Sequence, residues 1–345
     1  MFGFFKTKIK VAIVAPPFGD TGGPEVVAQI LAESLLDLGV EVTLFAPADW
    51  KTKAAHIPTL DKSIWNMINL KGMDSGILRN FVTASQVKII DYQDDFDIIH
   101  LHSQTYAYAI AKNLRKPCVL SLHNRFTRGF LKQIKQAGIY PVALSRSQRG
   151  QQRVSAVIMN GVPTADITYS VERGQYLIFV GRLTDQKGVD TAIQIALKAK
   201  KKLLIFGRIG NSEKRQRFYQ KKIAPYLNKR VIYKGEVGHN EIYEYLRGAE
   251  ALLFPIRRPE VCPMVMAEAW ACGTPVIGSK VDPLPEMVKN KKVAFLSDNF
   301  NDLVAAVKNL DQFDRLECRN YAETYFDSKV MAGRYLELYK KILKK

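Results

Sequence analysis

Cysteine is scarce in this 345-residue chain: Cys118, Cys262, Cys272 and Cys318 stand far apart, with no CxxC pair. That spacing excludes a disulfide-framed domain and a cysteine zinc site, and predicts reduced thiols. Long apolar runs are missing too. No stretch reaches the roughly 18 to 20 apolar residues that cross a bilayer, and the start, MFGFFKTKIK, turns basic too soon for a signal peptide. A cytoplasmic protein is expected. Acidic residues are few: 33 Asp and Glu face 51 Lys and Arg, a net charge of +18. Residues 1–165 hold 19 basic and 12 acidic side chains and the remainder 32 and 21, so the excess spreads over both halves. Low-complexity tracts and short repeats are absent. With 47% hydrophobic and 24% charged residues the chain is neither disordered nor fibrous. Its length favours two domains over one core.

The order of segments is informative. Lys10–Ala15 is a short apolar run, followed by the turn-rich PPFGDTGGP. Val26, Val27, Ile30, Leu31, Leu35 and Leu38 then recur at helical spacing, Gly39 closes that helix, and Val40–Phe45 reads as a second strand. Strand, glycine loop, helix and strand open a doubly wound parallel sheet. DIIHL (97–101), PCVLSL (117–122), PVALS (141–145) and VSAVI (154–158) continue it. The grammar restarts at YLIFV (176–180), with the turn GRLTDQKG, a helix over Val189–Lys200, and strands at LLIF, RVIY, ALLF and PVIG. Two Rossmann-like α/β domains follow, joined in NGVPTADITYSVERG (160–174). Ser328–Lys345 reads as a terminal helix with Val330, Tyr335, Leu338, Tyr339 and Ile342 on one side.

Three places concentrate chemistry. In EVCPMVMAEAWACGTPVIG (260–278), Pro263 suits the first position of a helix. Met264 and Val265 would then offer free backbone N–H groups to an anion. Glu260 lies in the loop before that helix and Glu268 inside it, placed for a sugar hydroxyl and a ribose diol; two surface glutamates flanking a core helix fit equally well. In FVGRLTDQKG (179–188), Arg182 and Lys187 could hold a diphosphate by a planar fork and a point charge; a solvated loop is the plain alternative. In the N-terminal loop, Gly22 and Gly23 would let backbone approach a ligand, though the GxGxxG spacing is incomplete.

These motifs, in this order, resemble glycosyltransferase family 4, retaining enzymes of the GT-B architecture. The similarity runs through GGPEVVAQILAESLLDLGVEVTLFA, DIIHLHS, ALSRSQR, FVGRLTDQKG, YKGEV, ALLFPI and the glutamate pair, and the wording is most similar to the branch with avilamycin-type sugar transferases. The resemblance implies two parallel sheets facing across a cleft. Residues 1–165 would form an acceptor-binding domain, 166–327 a nucleotide-sugar domain, and 328–345 a helix returning to the first. It implies a hexosyltransferase working on a nucleotide-diphosphate sugar, with uridine as the base, and an acceptor hydroxyl on a saccharide or lipid-linked carrier. No cofactor and no metal are implied. Arg182 and Lys187 would neutralise the leaving diphosphate, Glu260 and His123 would contact the donor sugar, and Glu268 the ribose. Met264 and Val265 would lie near sugar and phosphate, Val237 at the base, and Gly22 and Gly23 near the diphosphate. Cys262-Pro263 replaces a frequent aromatic–glycine pair, which leaves the donor sugar open. A nucleotide-sugar epimerase of the same architecture is the alternative.

Other signals have plainer readings. Asp95-Phe96-Asp97 matches a metal-binding triplet of another transferase fold, but reads better as a surface turn. His100 and His102 share a sheet face and read as a packed or hydrogen-bonded pair. Residues 62–81 and 125–136 mix apolar and basic side chains. They suit solvated helix faces, an acidic acceptor, or a peripheral contact of the N-terminal domain with an anionic leaflet at the inner face of the membrane. No nucleic-acid motif accompanies the charge.

Overall fold

The computed structural model describes residues 8–19, 23–67 and 75–344. The chain divides into two compact units, Met1–Gly161 with Ser328–Lys345, and Val162–Asp327.

In the first unit the strands are β1 (Lys10–Val14), β2 (Glu41–Ala46), β3 (Ala55–Pro58), β4 (Ile98–Leu101), β5 (Cys118–Leu122), β6 (Ile139–Ala143) and β7 (Ala156–Val157). They form one parallel sheet in the order β3-β2-β1-β4-β5-β6-β7. Central strands such as β4 and β5 are buried along their whole length. Both faces of a parallel sheet are covered, which is why these strands read as unbroken apolar runs. The helix Gly23–Asp37 buries Val27, Ala28, Leu31, Ala32 and Leu35. Against it packs the helix Ser328–Leu343, whose Tyr335 and Tyr339 are buried. The edge strand β3, with no buried residue, carries no strand signal in the sequence.

The second unit contains β8 (Tyr176–Val180), β9 (Leu203–Phe206), β10 (Val231–Gly235), β11 (Ala249–Phe254), β12 (Val276–Gly278) and β13 (Ala294–Leu296), again all parallel, in the order β10-β9-β8-β11-β12-β13. The helix Val189–Ala199 covers one face with Val189, Ala192, Ile193 and Ala196. The helix Met264–Ala271 inserts Trp270, fully buried, with its indole Nε1–H donating to the Val293 carbonyl at 3.0 Å. This unit begins at Val162 rather than at 166. The Val162 N–H donates to the Phe326 carbonyl, and the Arg319 guanidinium donates to the carbonyls of Thr164 and Ile167. Those bonds tie 162–167 to the segment that closes the same unit.

Candidate active site

Strand order reverses direction between β8 and β11. At such a switch point the connections leaving neighbouring strands diverge, and a crevice opens beyond their carboxyl ends. Lys187 leaves β8 in the tight turn Asp185–Lys187, and Glu260 leaves β11 in the loop after Phe254. Lys187 Nζ lies 3.0 Å from Glu260 Oε1, with the two side chains 13% and 26% exposed. The ammonium also sits 5.3 Å from the Phe254 ring centroid. A partly desolvated cation fixed on two sides is a preformed site for negative charge.

Two residues not singled out in the sequence hold this geometry. Gly188 has φ +71°, and a Cβ there would lie 2.0 Å from the Pro255 carbonyl oxygen. Only glycine lets the β8 turn press so closely on the β11 loop. Arg257 then clasps the two together. Its guanidinium donates to the Asp185 carbonyl and carboxylate and to Asp190 and Thr191, all within 2.7–2.9 Å, and its N–H to the Gln186 carbonyl. These carboxylates raise the guanidinium pKa, so the clasp stays charged. Arg257 is one of 51 basic residues and follows no spacing rule, so only the fold reveals it.

Arg182 is exposed at the start of the same turn and makes no ion pair among the described residues. The helix Met264–Ala271 begins one residue later than expected. Pro263 is extended, with φ −70° and ψ 114°, and forms the cap rather than the first helical residue. No side chain caps this end. Met264 and Val265 therefore head a first turn whose N–H groups have no partner within the helix, where the helix dipole favours an anion. Glu268 is only 5% exposed. Burial and then this nearby carboxylate push the Cys272 thiol up to about 12 and the Tyr243 phenol higher still.

Beyond β9 and β10 the turns nest. Gly207 has φ +134°, and a Cβ there would lie 1.9 Å from the Gly181 carbonyl oxygen. The Gly207 N–H donates to the Gly235 carbonyl at 2.8 Å. Val237 follows, half-buried, beside the Arg208–Glu236 pair at 2.9 Å. Arg182, Lys187, Val237, Glu260, Met264 and Val265 all belong to connections at the carboxyl ends of this sheet, and Lys187 and Glu260 touch.

Gly23 and His123 stand in the first unit, and Gly22 lies outside the described residues. Gly23 opens the helix Gly23–Asp37, and nothing lies within 4 Å of where its Cβ would be. His123 follows β5, with its Nε2 2.9 Å from His102 Nδ1 and the rings stacked. Burial pushes the imidazoles of His100 and His123 down to about 3, and that of His102 well below its ordinary value. His100 bonds Tyr339 Oη at 2.6 Å and Ser121 Oγ at 2.9 Å, and Ser121 Oγ lies 2.6 Å from Tyr335 Oη. His100 and His102 thus pack against each other, ring centroids 4.4 Å apart, and each bonds different partners. Phe96 is buried in the core and Asp97 accepts from the Lys10 N–H, so Asp95-Phe96-Asp97 is a turn before β4. Among the described residues no three His, Cys, Asp or Glu side chains are grouped to hold a metal ion. Within 125–136, the helix Arg128–Gln136 is capped by Thr127 and buries Leu131 and Ile134. Within 62–81, residues 68–74 lie outside the described residues. No described helix is long and apolar enough to cross a membrane.

Residues 167–324 match the family Glycosyl transferases group 1, and residues 21–168 match Glycosyltransferase Family 4. This chain is a family 4 glycosyltransferase. The two matches between them cover every strand but β1 and every candidate site residue. An uncharacterised 41.2 kDa protein from the cps region of Klebsiella pneumoniae is 29% identical over 48% of this chain, and the match spans 46% of that protein. Phosphatidyl-myo-inositol mannosyltransferase of Mycolicibacterium smegmatis is 22% identical over 97% of this chain and 94% of its own. Among solved structures, AviGT4, a glycosyltransferase involved in avilamycin A biosynthesis, superposes with TM-score 0.73 at 22% identity, covering 97% and 98% of the two chains. Anabaena Alr3699/HepE, in complex with UDP and glucose, gives TM-score 0.74 at 18% identity over 96% and 100%. The glycosyltransferase therefore has the GT-B fold.

Proposed function

We propose that this glycosyltransferase moves a hexose from a UDP-sugar to an acceptor hydroxyl of a saccharide or lipid-linked carrier, with retention at the anomeric carbon. The observation that carries the reading is the Lys187–Glu260 contact at the β8/β11 switch point, beside an uncapped helix N-terminus and an unpaired Arg182. HepE was solved with UDP and glucose, which supports uridine, and the Mycolicibacterium relative is named a mannosyltransferase, which supports a hexose.

Negative charge grows on the diphosphate as the glycosidic C–O bond breaks. Arg182, Lys187 and the N–H groups of Met264 and Val265 are the donors to stabilise it there. Glu260 holds a sugar hydroxyl while keeping Lys187 in place. Glu268 takes the ribose, Val237 lies at the base, and Gly22 and Gly23 admit the diphosphate. The acceptor oxygen attacks the face that the diphosphate leaves, and its proton passes to a departing phosphate oxygen. His123 bonds the sugar beside the reacting carbon. No enzyme carboxylate forms a bond to the sugar, in contrast to retaining hydrolases.

Glu260→Ala, and separately Arg182→Ala with Lys187→Ala, should lower transfer by at least about a hundredfold, the scale of one lost transition-state donor, without changing the melting temperature of the free protein by more than a few degrees. Full activity in either variant would remove the assigned roles. Incubation with donor alone distinguishes the epimerase, which would release a new nucleotide sugar.

A further inference from the structure

Most of the net charge sits in a short part of the second unit. Residues 198–234 carry 13 Lys and Arg against one acidic residue, Glu213, which makes +12 of the chain's +18. The fold gathers six of these residues at one place. β10 is the edge strand and pairs with β9 in the register Leu203↔Val231, so Lys202 and Arg230 lie side by side where the two strands begin. The helix Glu213–Lys222 packs Phe218 and Tyr219 on the core, with the Tyr219 and Tyr233 rings 5.7 Å apart. It runs antiparallel to the strands that it joins, so Lys221 and Lys222 end at the same strand-start edge. Lys200 and Lys229 flank it. All six are exposed, and none makes an ion pair among the described residues. Tyr226, 38% exposed, stands in the turn between Lys222 and Lys229.

Charges on an edge strand can serve only to block pairing with another sheet. One or two of either sign suffice for that, whereas here six cations stand at the edge. Within the same stretch, Lys201, Arg208 and Arg217 are engaged by Glu250, Glu236 and Glu213. The set at the strand-start edge is five lysines and one arginine. Lysine is a hydrated point charge on a flexible stem, suited to a diffuse field rather than to forked recognition of single phosphates. A lone interfacial tyrosine with basic neighbours matches a lipid headgroup layer, and offers no row of aromatics on which bases could stack. We propose that this edge, around Lys202, Lys221, Lys229 and Arg230, docks on an anionic phospholipid leaflet. It lies at the opposite end of the sheet from Lys187 and Glu260, so it stands apart from the transfer reaction.

The test is co-sedimentation of the full chain with vesicles of phosphatidylcholine, alone or with about 30 mol% phosphatidylglycerol, at low and at high salt. Binding is expected only with phosphatidylglycerol, and should fall more than tenfold at high salt. Lys202→Glu with Lys221→Glu, Lys229→Glu and Arg230→Glu should abolish it, with melting temperature and UDP binding unchanged. Arg128→Glu with Lys132→Glu, on the helix Arg128–Gln136 of the first unit, should leave it intact. Equal binding to both vesicles, retention in the fourfold variant, loss in the first-unit variant, or displacement of vesicles by a short DNA duplex would each overturn the proposal. UDP binding reports separately on the transfer site.

Discussion

His102 and His123 meet through facing ring nitrogens 2.9 Å apart, and burial keeps both rings neutral. One proton lies between them. His102 Nε2 is buried without a partner. If it carried the hydrogen, an N–H would be orphaned in the interior, a rarer situation than an unmet acceptor. His102 Nδ1–H therefore donates to His123 Nε2, and His123 keeps its own hydrogen on Nδ1, the donor that its proposed role toward the sugar requires. His102→Ala should lower kcat/KM by roughly ten- to a hundredfold, the kinetic equivalent of a lost bond of about 1–3 kcal/mol. His102→Asn, which can donate from a similar position, should restore part of it. Nitrogen-15 NMR should show the Nδ1–H form of His123 in the native enzyme and its loss in His102→Ala; an Nε2–H His123 in the native enzyme would refute the assignment. At this scale the sequence named His123 through a family pattern, but not His102 as its partner, because i, i+2 spacing linked His102 to His100. Arg257 was invisible for the reason that lysines and arginines abound.

Turns, rather than strands or helices, decide the site. The β8 turn touches the β11 loop only because Gly188 lacks a side chain. Gly188→Ala would place a methyl against the Pro255 carbonyl and strain a left-handed backbone, at a cost of about 1–3 kcal/mol for the backbone alone. Denaturant titration should show that loss, and isothermal titration should show weaker UDP binding than in the native enzyme. Unchanged affinity would mean that the turn is not set by this contact. The segment GRLTDQKG was legible as a glycine-bounded turn after a strand, since alternation and apolar runs mark strand ends. Its pressing on residues 255–260 was not, because those residues are distant in the chain and approach only when β8 and β11 pair. Pro263 illustrates the reverse limit. Proline marks the start of a helix, but whether it caps or occupies the first turn depends on ψ, here 114°.

In the whole molecule, the chain leaves the first unit at Gly161 and returns to it at Ser328. The returning helix is part of that unit's interior, since Tyr335 and Tyr339 reach Ser121 and His100. Tyr339→Phe should leave the His100 Nδ1 without its bond and lower stability by about 1–3 kcal/mol. Thermal unfolding should show this loss with UDP affinity retained, because neither Tyr339 nor His100 is among the residues assigned to the nucleotide; a shift in UDP affinity instead would count against those assignments. The distribution of charge follows the same lesson. Counted in halves the excess looks even, yet six of its cations are drawn to one sheet edge once β9 and β10 pair.

What the amino-acid sequence determined by itself was the parallel architecture and the family, because buried strands, helical spacing and glycine turns are local signals that survive without a partner. It also singled out Lys187 and Glu260 as candidates. Tertiary structure alone decided that these two meet at 3.0 Å, that Gly188 and Arg257 make them meet, and that His102 sets the face shown by His123. Each of those depends on the pairing of strands far apart in the chain, and on distances of a few ångströms that no local pattern encodes.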